Sequence, residues 1–114
     1  MTDLFTQAQR DQLRANSIDQ DNGNDIDRVP VVKLFTPGEG RCTWLLTELD
    51  ANNVAFGLCD LGMGEPELGY VDINEMLDAI NRIGLPIERD LYVTLDKPLS
   101  HYTELARKAR RIVT

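Results

Sequence analysis

The apolar positions of this chain change period along its length, and each change marks an element. Val31 to Thr36 (VVKLFT) is β-branched and aromatic and stops at Pro37-Gly-Glu-Gly40, a turn sequence. Cys42 to Leu49 (CTWLLTEL) resumes the same character, so the two runs pair as an antiparallel hairpin. Beyond the turn Asp50-Ala-Asn-Asn53, Val54 to Leu61 alternates with a period of two. Val54, Phe56, Leu58 and Asp60 share one side, and Ala55, Gly57, Cys59 and Leu61 share the other. That extends the hairpin to a meander. Gly62-Met-Gly-Glu-Pro66 interrupts it, and Leu68 to Val71 is long enough for a short fourth strand.

The period then shifts to that of a helix. Ile73, Met76, Leu77, Ile80 and Ile83 recur at helical spacing, Asp72 and Glu75 stand where a capping box needs them, and Val71 and Met76 are placed for a hydrophobic staple. Gly84 supplies the left-handed stop, with Pro86 beyond it. Leu91 to Leu95 (LYVTL) has strand character. Ser100 then caps a terminal helix with an inner face of Tyr102, Leu105, Ala106, Ala109, Ile112 and Val113. At the other end, Thr6-Gln-Ala-Gln9 forms a capping box for a helix running to about Asn16, with a thin stripe of Phe5, Ala8, Leu13 and Ala15. Asp19 to Asp27 (DQDNGNDID) has little to bury and is expected to be a mobile acidic loop, continuing to Val29. Strands and helices do not alternate as a parallel sheet requires. The expected fold is α+β, a mostly antiparallel sheet of four to five strands with helices packed on one face.

At 114 residues with 42% hydrophobic positions, the chain suits one domain, residues 1–114, with a core that needs no metal or disulfide. No apolar run reaches the roughly 20 residues of a membrane span, and Met1 to Gln20 is polar and acidic, unlike a secretory leader. A cytoplasmic protein without membrane contact is expected.

The net charge of −7 is unevenly placed. The basic segment 97–114 carries Lys97, Arg107, Lys108, Arg110 and Arg111 against Glu104 alone, whereas Glu48 to Asp96 carries 11 acids against Arg82 and Arg89. A body so acidic repels phosphate backbones and anionic membranes, so direct nucleic-acid binding is not expected outside the tail. It could instead occupy the nucleic-acid groove of a basic protein.

Candidate chemistry is sparse. His101 and Glu104 share a helix face, but one histidine and one carboxylate lack the third ligand or the nucleophile that working sites use. Cys42 and Cys59 stand 17 residues apart on neighbouring strands, without CxxC pairing or a nearby histidine, and read as small core residues. Counted from Asp19 as a twelve-residue calcium loop, the acidic stretch has Asn24 where glycine is needed and Pro30 where a bidentate glutamate is needed. Gly57, Gly62, Gly64 and Gly69 form no nucleotide-loop motif, and Asp60, Glu65 and Glu67 beside them disfavour phosphate, so turn and bulge geometry is their expected role. Trp44, Phe35, Phe56, Tyr70 and Tyr92 are expected in the core, or as a partner anchor where a sheet face lies open. No catalytic residue, metal ligand or cofactor is assigned.

The runs AFGLCDLG (Ala55 to Gly62), PELGYV (Pro66 to Val71) and GLPIERDL (Gly84 to Leu91) resemble a family of small uncharacterised bacterial domain-of-unknown-function proteins common on plasmids and mobile elements. The resemblance lends no catalytic residue. It implies a mobile-element setting, in which small acidic, DNA-mimic-like proteins blunt restriction or CRISPR defence. The expected function is therefore a non-enzymatic interaction protein that inhibits a basic, nucleic-acid-handling host protein. Its contact residues would be Asp60, Glu65, Glu67, Asp72, Asp78, Glu88 and Asp90. Two alternatives stand beside it: a plasmid maintenance or regulatory subunit acting through the basic final helix, and an enzyme built on Asp60 or Glu67 with His101.

Overall fold

The computed structural model describes residues 4–38 and 41–114, so Glu39 and Gly40 of the first expected turn lie outside the described residues. The elements run α1 (Gln7–Asp21), β1 (Val32–Phe35), β2 (Thr43–Leu49), β3 (Val54–Asp60), β4 (Glu67–Asp72), α2 (Ile73–Ile83), β5 (Glu88–Arg89) and α3 (Leu99–Ala109). One five-stranded sheet has the order β4-β3-β2-β1-β5, antiparallel throughout. The α+β class and the meander are as the hydrophobic pattern requires.

The helices, however, are shared between the two sheet faces rather than stacked on one. Leu34, Trp44, Leu46, Leu49 and Ala55 pack with Leu13 of α1 and Ile73 and Met76 of α2. Leu45 and Leu58 face the other way, against Leu99, Tyr102 and Ala106 of α3. β2 explains the arrangement: Trp44, Leu45, Leu46 and Leu49 are all buried, so both of its faces are apolar and both need cover. Among the described residues no helix is long and apolar enough to cross a membrane.

α1 starts with the expected reciprocal cap. The Gln9 amide donates to Thr6 Oγ1 at 3.1 Å, and the Thr6 amide donates to Gln9 Oε1 at 2.9 Å. It then runs five residues past Asn16, because its inner face is polar as well as apolar. Ala8 and Ala15 are exposed, while Leu13 and Ser17 are buried and Asn16 donates to the Thr47 carbonyl at 2.9 Å.

The acidic stretch is organised around Arg28 rather than left loose. Arg28, with only 8% of its side chain exposed, donates to Asp19 at 2.7 Å, to Gln20 at 2.9 Å and to the Asn24 carbonyl at 3.0 Å. Hydrogen bonds from Asn24 and Arg28 hold the Asp19 carboxyl below its usual range. Asp27 is spent on α3: it accepts the Ser100 amide proton at 3.1 Å and the Ser100 hydroxyl proton, while the Arg28 carbonyl accepts from the Leu99 amide at 2.8 Å. The N-cap position is Pro98, and Ser100 is capped instead of capping. A carboxylate at this end also meets the positive pole of the helix. Asp27→Ala should therefore cost about 1 kcal/mol, the usual worth of a cap, and lower amide protection in the first turn of α3 by hydrogen exchange.

The last strand falls earlier than its apolar run. β5 is Glu88–Arg89, paired with Phe35 and Leu34, and Leu91 to Leu95 leave the sheet. The Asp90 carboxylate accepts from the Tyr92 and Val93 amides at 2.9 and 3.0 Å, which turns the chain away and leaves Tyr92 93% exposed. α2 closes as expected on Gly84, whose φ of +82° is the left-handed conformation a helix stop requires. Ile83, the last position of its expected apolar stripe, is exposed.

Candidate functional site

α3 covers only the middle of its sheet face and leaves an opening at each end. The period of two places Leu68 and Tyr70 of β4 opposite Leu58 and Phe56 of β3, on the α3 side. Beyond the first turn of α3 these side chains line a groove of about 230 Å³ with Glu48, Asp25 and Ile26. Tyr70 is 77% exposed, and its ring lies 5.0 Å from that of Phe56 at a tilt of 58°. β4 ends the sheet, so no described strand pairs with its outer edge. Burial raises the pKa of Glu48 above the usual carboxylate value, with Arg28 opposing and Asp21 and Asp25 adding to the rise. Three carboxylates thus share one field at the groove. Aromatic surface, negative charge and an unpaired strand edge meet there.

The second opening is at the other end of α3. A cleft of about 610 Å³ is lined by Lys33, Phe35 and Arg41 on one side and by Asp60, Gly62 and the segment after α3 on the other. Lys33 pairs with Asp90 at 3.5 Å and donates to Thr114 Oγ1 at 2.7 Å. Backbone donation from Tyr92, and then the nearby Lys33, hold the Asp90 carboxyl below its usual value.

The seven carboxylates expected to form one partner surface do not share one. Asp60 is buried, with Oδ1 accepting from the Gly62 amide at 2.9 Å and Oδ2 from the Ile112 amide at 3.0 Å. Asp72 is the N-cap of α2 and accepts from the Glu75 amide at 3.1 Å. Asp78 pairs with Arg82 at 3.1 Å, and Asp90 with Lys33. Glu67 lies on β4 and Glu88 on β5, at opposite edges of the sheet and so about 19 Å apart at the usual strand spacing. Glu65 is exposed beside Arg107, Lys108 and Arg110. Charge runs in sequence spread in space because the four-stranded meander sends successive turns to opposite ends of the sheet and β5 returns to its far edge.

The other candidates also separate. His101 is exposed in the first turn of α3, edge-on to Tyr102 at 5.4 Å, whereas Asp60 meets the chain after the helix ends. The length of α3 lies between them, about 15 Å at the helical rise. Cys42 and Cys59 are free thiols packed against the α1/α2 core. Cys59 is opposite Trp44, not Cys42, and burial raises its pKa to about 11, which keeps it a protonated thiol at neutral pH. Burial likewise raises Cys42. Among the described residues no three His, Cys, Asp or Glu side chains gather as metal ligands. Trp44 is buried in the core as expected, but Tyr70 and Tyr92 are not.

Glu48, Asp25, Lys33 and Arg41 stand out only in three dimensions. The alternation that puts Leu68 and Tyr70 on the side of Phe56 was the one local signal of the groove.

A family described as "Protein of unknown function (DUF2958)" matches residues 4–113. No curated protein and no solved structure matches the chain.

Proposed function

We propose, for a chain that belongs to the DUF2958 family of proteins of unknown function, a non-enzymatic role: it binds a basic, nucleic-acid-handling protein and blocks it, in the setting of a mobile element facing host defence. The observation that carries this reading is the groove beside β4, where exposed Tyr70 and Leu68 of that terminal strand line one opening with Glu48 of the central strand and Asp25 of the loop after α1. An extended Lys- or Arg-bearing segment fits all three features. Its backbone adds to the edge of β4, an aliphatic or guanidinium stem lies on Tyr70, and its charge meets the carboxylates. None of the seven carboxylates expected as contacts lines this groove, and its negative charge comes from Glu48 and Asp25 instead.

The test is affinity capture from host lysate with quantitative mass spectrometry. Wild-type protein should enrich a basic nucleic-acid-binding protein. Tyr70→Ala, and separately the pair Glu48→Lys with Asp25→Lys, should weaken that capture about tenfold, or ~1.4 kcal/mol. Raising salt from about 0.1 to 1 M, which shortens the screening length from about 10 to 3 Å, should release the partner. Undiminished capture by both variants would remove the groove from the reading, and a wild-type eluate without a basic protein would remove the reading itself.

A further inference from the structure

The cleft at the far end of α3 holds a concentration of positive charge that the acidic composition conceals. Arg41, Arg110 and Arg111 line it with Lys33, and none of the ion pairs made by described residues engages the three arginines. The two carboxylates in its wall are already committed. Asp60 accepts from two backbone amides, and Asp90 accepts from two more and pairs with Lys33. The local balance is therefore positive in a protein of net charge −7.

The backbone is shaped to bring these groups together. α3 ends on Arg110 in the left-handed region, φ +61°, a conformation that glycine normally takes at a helix end and an arginine rarely does. That turn directs Arg110 to the Gly62-Met-Gly64 loop, where its Nε donates to the Gly64 carbonyl at 3.3 Å, and carries Arg111 and Ile112 back over Asp60. Arg41 arrives from the start of β2, and half-buried Phe35 supplies a flat apolar wall. Guanidinium groups that line one cleft without an ion-pair partner suit a ligand that presents several oxygens in a plane or fork. The volume is that of a small-molecule site rather than of a groove that tracks a polymer. The acids beside Gly62 and Gly64 disfavour phosphate in the linear sequence; folding turns Asp60 inward and adds Arg41 from before β2 and Arg110 and Arg111 from after α3.

We propose that this cleft binds the phosphate group of a small phosphate ester, held by Arg41, Arg110 and Arg111. Nucleotides and sugar phosphates share that chemistry, and Phe35 as a stacking wall would favour the former.

The experiment is a titration of the full chain at fixed ionic strength with pyrophosphate, ADP and ribose 5-phosphate, followed by amide chemical shifts. Shifts should gather at Lys33, Arg41, Gly62, Gly64 and the residues from Arg110 to Val113, with dissociation constants below about 1 mM. Exposed Arg41 and Arg111 can be changed without opening the core, so Arg41→Ala with Arg111→Ala should leave the unfolding midpoint in place and weaken binding by more than about tenfold. ADP binding well ahead of ribose 5-phosphate supports a nucleotide, and equal binding supports recognition of the phosphate alone. Three results would overturn the site: no shifts with any of the three ligands, shifts spread over surface cations generally, or unchanged binding by the double variant. Binding of a single-stranded oligonucleotide when none of the three small phosphate ligands binds would overturn it in favour of a polymer surface.

Discussion

Gly57→Ala is expected to destabilise the protein by about 3 kcal/mol or more, read as a lowered urea midpoint or as failure to fold. Gly57 sits in the third strand, opposite Leu46 on one side and Gly69 on the other. A Cβ there would lie 1.9 Å from the Leu45 carbonyl oxygen and 2.9 Å from the Leu46 Cα. Both obstacles are backbone of the central strand, so no rotamer change relieves the overlap. Close to this point the pairing register slips between Leu46 and Glu48, which leaves Thr47 as the extra residue of a bulge. Relief would have to separate β2 from β3 where both core clusters meet. Gly69 makes the control. It is the direct cross-strand neighbour of Gly57, yet an added Cβ would have nothing within 4 Å. Gly69→Ala should leave stability within about 0.5 kcal/mol of wild type, or raise it, because alanine loses less backbone entropy on ordering. Equal effects of the two substitutions would mean that close approach to β2 is not what Gly57 provides.

The same contrast shows how far the fold can be read along the chain. Periods of two and of 3.6 are local, and they located the four-stranded meander and the start and stop of the second helix to within a residue or two. What they could not carry was partnership at a distance. Asp27 caps a helix that begins 72 residues later, and Arg28 gathers Asp19, Gln20 and Asn24 into a knot that a composition argument reads as a loose acidic loop. Leu91 to Leu95 has strand character, yet the carboxylate of Asp90 captures two amides and ends the ladder first. A short side-chain competitor for backbone donors outweighs propensity there. The continuous burial of β2 was visible as an unbroken apolar run, and such a run is the mark of a strand with both faces covered.

For the surface, the sequence conveyed the amounts of charge correctly and their neighbourhoods poorly. Eleven acids between Glu48 and Asp96 suggest one negative face. The meander instead deals them to both edges and both ends of the sheet, and several are consumed by amides or by Lys33 and Arg82. The remaining negative field belongs to residues from two separate stretches, Asp21 and Asp25 at and just after the end of α1 and Glu48 on β2, which meet because α1 docks along β2. The positive cleft likewise joins Arg41 to Arg110 and Arg111 across some 70 residues of sequence. Neither neighbourhood has a spacing that a motif could encode.

Asp60 links that cleft to the stability of the fold. Asp60→Ala should cost about 2 to 4 kcal/mol, because the buried Ile112 amide and the Gly62 amide would both lose a carboxylate acceptor. Asp60→Asn keeps the shape but turns one oxygen into a donor, which must face one of those two amides, so it should cost roughly half as much. By comparison, Asp78→Asn on the exposed face of α2 breaks an i,i+4 pair with Arg82 and should change stability by less than about 0.5 kcal/mol. The Asp60 effect also has a location. Ile112 belongs to the cluster under α3, and its amide is the tie that folds the segment after the helix back onto β3. Hydrogen exchange should therefore accelerate first at Ile112 and Gly62 while the α1/α2 side keeps its protection. Because Arg110 and Arg111 are positioned by that return of the chain, the alanine variant should also bind pyrophosphate more weakly than wild type, even though it removes a negative charge from the cleft wall. A uniform loss of protection across both faces of the sheet would show instead that Asp60 supports the core as a whole, and that the cleft is shaped by α3 without it.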